Sequence, residues 1–168
     1  LIAGNTSSSG YPTTSGAYDQ SQNGSNDAFV SKLNSNLTTL SASTFIGGTD
    51  VDIARFLIIN SSENIFVTGY TQSANYPTTS GAYDQIYNGS HDVYVSKLNS
   101  NLTTLSASTF IGGSSSDIAN SLAIDSSGNI FVATYTASSN SPTTANAYDE
   151  THNGSNDILV SKLDSNVS

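Results

Sequence analysis

The sequence predicts an all-β protein built from tandem copies of one four-stranded antiparallel unit, and three observations carry that reading. The first is an internal repeat with a period of 65 residues. Pro12–Gln20 (PTTSGAYDQ) recurs letter for letter at Pro77–Gln85, and Val30–Gly48 recurs unchanged at Val95–Gly113. A third copy has drifted but stays in register at Pro142, Ala147, Tyr148, Asp149, Asn153, Gly154, Asp157 and Val160–Leu163. Self-similarity at a fixed period of this length marks a repeat architecture. The second observation is that each period holds four short runs rich in β-branched and aromatic residues, which suit a pleated, packed surface. The third is that no window shows a helical 3.6-residue period.

Within the period from Gly48 to Gly113, the first predicted strand is Ile53–Asn60, repeated at Ile118–Asp125. The second is Ile65–Thr71, repeated at Ile130–Thr136. Ser61–Asn64 and Ser126–Asn129 lie between them and have the turn residues of a tight hairpin. The third strand is Asp92–Leu98, matching Asp27–Leu33 and Asp157–Leu163. The fourth is Leu102–Ile111, which ends at Gly112 and Gly113. The stretch from Gln72 to His91, about 20 residues with Pro77, Gly81 and Gly89, reads as a shaped loop joining the second and third strands. Loops of that length are usually functional or packed on themselves. Four antiparallel strands per repeat, joined in series, describe a blade of a β-propeller. Blades pack face to face, which accounts for the near-continuous apolar runs Phe56–Ile59 and Ile65–Val67.

At this point the residues resemble a known family. Asp117-Ile-Ala, then Ala123–Val132 (AIDSSGNIFV), followed by the Pro-Thr-Thr, Ala-Tyr-Asp and Asn-Gly-Ser motifs and Val-Ser-Lys-Leu, is similar to the seven-bladed β-propeller (SBBP) repeat family. The resemblance covers nearly the whole chain. It implies secreted or surface-displayed microbial proteins, often long multi-repeat chains, and it brings no catalytic residues to carry over.

Composition excludes several functions. Thirteen acids face four bases, Lys32, Arg55, Lys97 and Lys162, for a net charge of −9. Nucleic-acid binding needs a basic footprint, and this chain has none. No apolar stretch approaches the roughly 18 residues of a spanning helix, so no membrane insertion is expected. The absence of Cys removes disulfides, thiolate zinc sites and thiol nucleophiles together.

The repeat divides the chain into a partial blade (1–48), a complete blade (49–113) and a second partial blade (114–168), about 2.6 blades in all. The expected partners are therefore other copies of the chain or the rest of a longer repeat chain, either of which would cover open sheet edges. A stable lone monomer is the least expected state.

No catalytic constellation is expected. The ionisable residues that do not repeat, Arg55, Glu63, His91, Glu150 and His152, occupy drifting positions, and no Gly-x-Ser-x-Gly elbow occurs. The acidic loop is the candidate metal site. Asp19 and Asp27 recur as Asp84 and Asp92 and as Asp149 and Asp157, with Asn and Ser between them. Oxygen ligands in a Gly-containing loop suit calcium, although the favoured reading is that these side chains cap their own turns. Tyr18, Tyr83 and Tyr148 precede the acid in each copy. They are either aromatic platforms for carbohydrate or, as favoured, rings that pack the loop with the hydroxyl bonded to backbone. Lys32, Lys97 and Lys162 are expected to run along an edge or meet local acids. Eight glycosylation sequons, at Asn5, Asn23, Asn36, Asn60, Asn88, Asn101, Asn153 and Asn166, occur in a Ser/Thr-rich chain where such tripeptides are common. The expected function is thus a non-enzymatic structural or interaction module of a secreted or surface protein, self-assembling through completion of partial blades. A multivalent carbohydrate-binding propeller is the alternative.

Overall fold

A computed structural model describes all 168 residues, and it holds ten strands and no helix. Three antiparallel sheets follow one another along the chain. Blade 1 contains β1 (Ile2–Thr6), β2 (Asp27–Leu33) and β3 (Leu40–Ile46), in that order. Blade 2 contains β4 (Asp52–Ile59), β5 (Ile65–Thr71), β6 (Asp92–Leu98) and β7 (Leu105–Ile111), again in chain order. Blade 3 contains β8 (Asp117–Ile124), β9 (Ile130–Thr136) and β10 (Asp157–Leu163). These are the blades of a β-propeller, laid side by side.

Two apolar cores lie between the three sheets. The first joins Ala28, Val30, Ala42 and Ile46 of blade 1 to Ile65, Val67, Tyr94, Leu98, Leu102 and Phe110 of blade 2. The second joins Phe66, Val93, Val95 and Ile111 of blade 2 to Ala119, Ile130, Val132, Leu163 and Val167 of blade 3. Successive residues of a strand point to opposite faces. Val67 therefore enters the first core while Phe66 enters the second, and β5 and β6 are apolar almost throughout because both faces are covered. Burying such side chains contributes roughly 1.5–3 kcal/mol each.

The long loop of each of the first two blades lies against its outermost strand. Thr79 N–H donates to Ser108 O (3.0 Å), and Ser108 N–H donates back to Thr79 Oγ1 (2.9 Å). Further along, Phe110 N–H donates to Asp84 O (3.0 Å) and Asp84 N–H to Thr109 Oγ1 (2.9 Å). Thr14, Ser43, Asp19 and Phe45 repeat this in blade 1. The loop thereby covers an edge that would otherwise pair with foreign strands. Tyr76 anchors its inner end, stacked on Tyr94 at 4.4 Å with its hydroxyl 3.0 Å from Ser96 Oγ. Blade 3 has Ser141 at that position.

Two boundaries differ from the sequence reading, and the first strand lies one residue earlier than predicted, at Asp52–Ile59 and Asp117–Ile124. The fourth strand begins at Leu105, not Leu102, because Leu102 takes a left-handed φ of 57° inside the turn that precedes it. The turn is held by Asn99, whose Oδ1 accepts from Thr103 N–H (2.9 Å) and Thr104 N–H (3.2 Å). A β-rich composition could not reveal that these residues turn.

Candidate functional site

The acidic loop closes on itself. Asn23 links its two acids, donating from the backbone to Asp27 Oδ2 (2.6 Å) and from the side-chain amide to Asp19 Oδ2 (2.8 Å). Asn88 does the same with Asp92 and Asp84 (2.7 and 3.1 Å), and Asn153 with Asp157 and Asp149 (2.6 and 3.0 Å). Asp19, Asp84 and Asp149 each also accept from the N–H two residues on. This is turn capping by short acidic and amide side chains.

Sequence reasoning missed a second set of acids. Asp52 and Asp117, the first residues of β4 and β8, are fully buried. Asp52 accepts from Gly48 N–H (2.7 Å), Ser73 Oγ (2.9 Å) and Thr71 Oγ1. Asp117 accepts from Gly113 N–H and Ser138 Oγ, both at 2.8 Å. In blade 3 the Thr136 hydroxyl is instead paired with Ser141 Oγ, and Asp117 Oδ1 has no partner. The signal was in the recurrence of Asp-Ile-Ala at 52 and 117, which was read only as a family motif.

Each of these acids meets the last acid of the preceding blade's loop. Burial raises the pKa of Asp52, and the charge of Asp27 adds to the effect. Burial likewise raises Asp27 against the backbone hydrogen bonds from Asn23 and Gly24. Asp92 is pushed up to about 6, chiefly by burial and further by Asp117, while hydrogen bonds from Asn88 and Gly89 oppose the rise. The junction between blades is thus lined by paired carboxylates.

Tyr18, Tyr83 and Tyr148 make no hydroxyl-to-backbone bond, which corrects that part of the expectation. Their exposure rises along the chain: 36% for Tyr18 beside the four-stranded blade 2, 56% for Tyr83 beside the three-stranded blade 3, and 107% for Tyr148 in the loop of blade 3. Tyr18 N–H donates to Leu102 O of blade 2 (2.9 Å), which places its backbone at the junction.

Two of the lysines reach across the junctions, and the expected local acids are met as well: the charge of Lys97 acts on Asp164 and that of Lys162 on Asp125. Lys97 lies over the Phe66 ring at 5.7 Å and donates to Ser165 O of blade 3 (2.8 Å). Lys32 reaches Ser100 O of blade 2 at 3.5 Å. The cause is register: the lysine sits on the third strand, where the turn of the next blade reaches over it. Lys162 lies over Phe131 at 5.6 Å.

The remaining ionisable residues occupy separate places. Arg55 is exposed at the bulge in β4, and Glu63 is in a hairpin turn at φ 62°. His91 contacts Gln72 Nε2 (2.7 Å) and Ser116 Oγ (3.2 Å), while Glu150 accepts from Asn146 N–H (2.6 Å) in the third loop, which also holds His152. Of the sequon asparagines, Asn60 is half-buried and the other seven are exposed.

Against known proteins, the family model described as SBBP, beta-propeller repeat, matches residues 108–140. The matched stretch runs from β7 across the junction into blade 3, and it is the family the sequence resembles. No curated protein matches the chain.

Proposed function

Starting from a chain of β-propeller blades that carries an SBBP repeat, we propose that it is a non-enzymatic scaffold and interaction module working outside the cell or on its surface. The observation that carries this reading is how the repeated residues are used. Val30 and Val95, the carboxylate pairs, Lys32 and Lys97, and the backbone of Tyr18 all serve blade-to-blade contact. A repeat whose invariant side chains hold neighbour to neighbour behaves as a quasi-one-dimensional array, stabilised by its interfaces.

Hydrogen exchange combined with chemical unfolding tests this. One cooperative transition is expected, with Val30→Asp loosening blades 1 and 2 together. Blades that melt independently would overturn the scaffold reading. For the location, antibody labelling of intact source cells is the expected result, and labelling only after lysis would refute it.

A further inference from the structure

We infer that the junction between blades 2 and 3 binds a hard divalent cation, calcium by its chemistry, held between the carboxylates of Asp92 and Asp117. The ion clamps blade 2 to blade 3, and the scaffold reading stands with or without it.

The two internal junctions are a comparison within one molecule. In the first, every carboxylate oxygen is satisfied. Asp27 accepts from Gly24 N–H at Oδ1 (3.0 Å) and from Asn23 N–H at Oδ2 (2.6 Å). Asp52 accepts from Thr71 Oγ1 at Oδ1, and from Gly48 N–H (2.7 Å) and Ser73 Oγ (2.9 Å) at Oδ2. In the second, only the Oδ2 atoms are engaged, Asp92 by Asn88 N–H and Asp117 by Gly113 N–H and Ser138 Oγ. Oδ1 of each is buried without a partner, on side chains that are 1% and 0% exposed. The cause at Asp117 is local. Ser141 stands where blade 2 has Tyr76, and its hydroxyl pairs with that of Thr136 (2.6 Å), whose counterpart Thr71 serves Asp52.

Buried carboxylates are tolerated when they are paired, protonated or bound to a metal. No base answers this pair. The charges acting most strongly on Asp92 are those of Asp117 and Asp84, both negative. Lys97 is engaged elsewhere, over Phe66 and with Ser165 O. Without an ion, only a proton can lower the repulsion.

Other oxygens gather at the same place. A Cβ on Gly89 would stand 2.8 Å from Asp92 Oδ1, 2.9 Å from Gly113 O and 2.1 Å from Ser115 O, so two backbone carbonyls lie beside the unpartnered atom. Asp92 Oδ1 and Asp117 Oδ2 both flank Gly112. An open cleft of about 360 Å³ is lined by Gly112 and Gly113 with Tyr83, Asp84, Asn88 and Asn140, and it gives an ion a route to the pair. Every donor is a hard oxygen, which excludes a preference for soft metals. Carboxylates, backbone carbonyls and water in an irregular shell suit calcium better than magnesium, which demands a near-ideal octahedron.

The experiment strips the whole chain with a chelator and titrates it with calcium chloride by calorimetry, alongside thermal melts at neutral pH. One calcium ion per chain should bind and raise the melting midpoint, and magnesium should bind at least about tenfold more weakly. Asp117→Asn should abolish uptake while circular dichroism shows the fold retained, and Asp92→Asn gives the same reading from the other blade. Asp157→Asn, in the exposed third loop, should leave uptake unchanged. Loss of uptake in Asp157→Asn with retention in Asp117→Asn would overturn the proposal in favour of the loop acids. An equal response to magnesium would overturn it in favour of diffuse screening of the acidic surface. An unaltered chain that takes up no calcium at millimolar concentration would overturn it while leaving cooperative unfolding, and so the scaffold reading, intact.

Discussion

Asp92 and Asp117 stand in adjoining blades and meet across Gly112: a Cβ on that glycine would lie 3.2 Å from Asp92 Oδ1 and 2.9 Å from Asp117 Oδ2. Asp27 and Asp52 flank Gly47 in the same way. The glycine is small so that two acids can share one junction. Oδ1 of Asp92 and Oδ1 of Asp117 are both buried without a hydrogen-bond partner, so a proton on Asp92 relieves like-charge repulsion at a site water does not reach.

Stability should therefore rise as pH falls from neutrality. With the pKa of Asp92 raised from 3.8 to about 6, the folded chain holds more protons than the unfolded one between those values, so stability decreases as pH increases through that window. Asp27 and Asp52 act in the same direction. Below it, Asp125, Asp149 and Asp164, whose pKa values are lowered by hydrogen bonds, lose their contribution as they protonate. Thermal melts between pH 7 and pH 4 should show the midpoint climbing before acid unfolding sets in, roughly at pH 3. Asp92→Asn should flatten the climb, and a melting temperature that falls steadily from pH 7 would contradict the assignment.

Gly89 and Gly154 occupy the same turn and should respond differently to alanine. A Cβ at Gly89 would fall 2.1 Å from Ser115 O, in the segment leading to blade 3, whereas the nearest atom to one at Gly154 is 3.9 Å away. Gly89→Ala should cost about 1–3 kcal/mol by overpacking. Gly154→Ala should be close to neutral. Equal losses in urea titrations would show that the turn itself, not the neighbouring blade, demands glycine.

Leu102 and Leu37 share a backbone conformation and a sequence context but not an environment. Leu102→Ala should cost about 2–5 kcal/mol through lost burial and a cavity in the first core. Leu37→Gly should leave the monomer unchanged or stabilise it by up to about 1 kcal/mol by relieving the left-handed φ. Denaturant midpoints at a concentration where the chain is monomeric measure both.

Glycan occupancy in a glycosylating host should follow amide availability. The side-chain amides of Asn23, Asn88 and Asn153 already donate to Asp19, Asp84 and Asp149, while Asn36, Asn101 and Asn166 are exposed at turn tips. Peptide mass spectrometry should find sugar on the second group and not on the first. Sugar on Asn23, Asn88 and Asn153 would show that these amides are modified before the caps form.

The strands were legible from the sequence because pattern and repeat agreed. Asp27–Leu33, Asp92–Leu98 and Asp157–Leu163 lie where the β-rich runs placed them. The acidic-loop network was legible as well, because an acid capping an N–H two to four residues away is a local event. Leu102 was misplaced by three residues since its side chain is held by the blade before it, and strand composition carries no record of that contact.

By itself the sequence determined the unit: a four-stranded blade, its turn chemistry and its period, all set by interactions among residues near one another in the chain. Only the tertiary structure decided what the repeated side chains are for. Lys97 and Ser165, Asp92 and Asp117, and Leu102 and Val30 are brought together by packing one blade on the next. Identical residues therefore became buried at an internal junction and exposed at an open face, because burial depends on what lies opposite a side chain and not on the side chain alone.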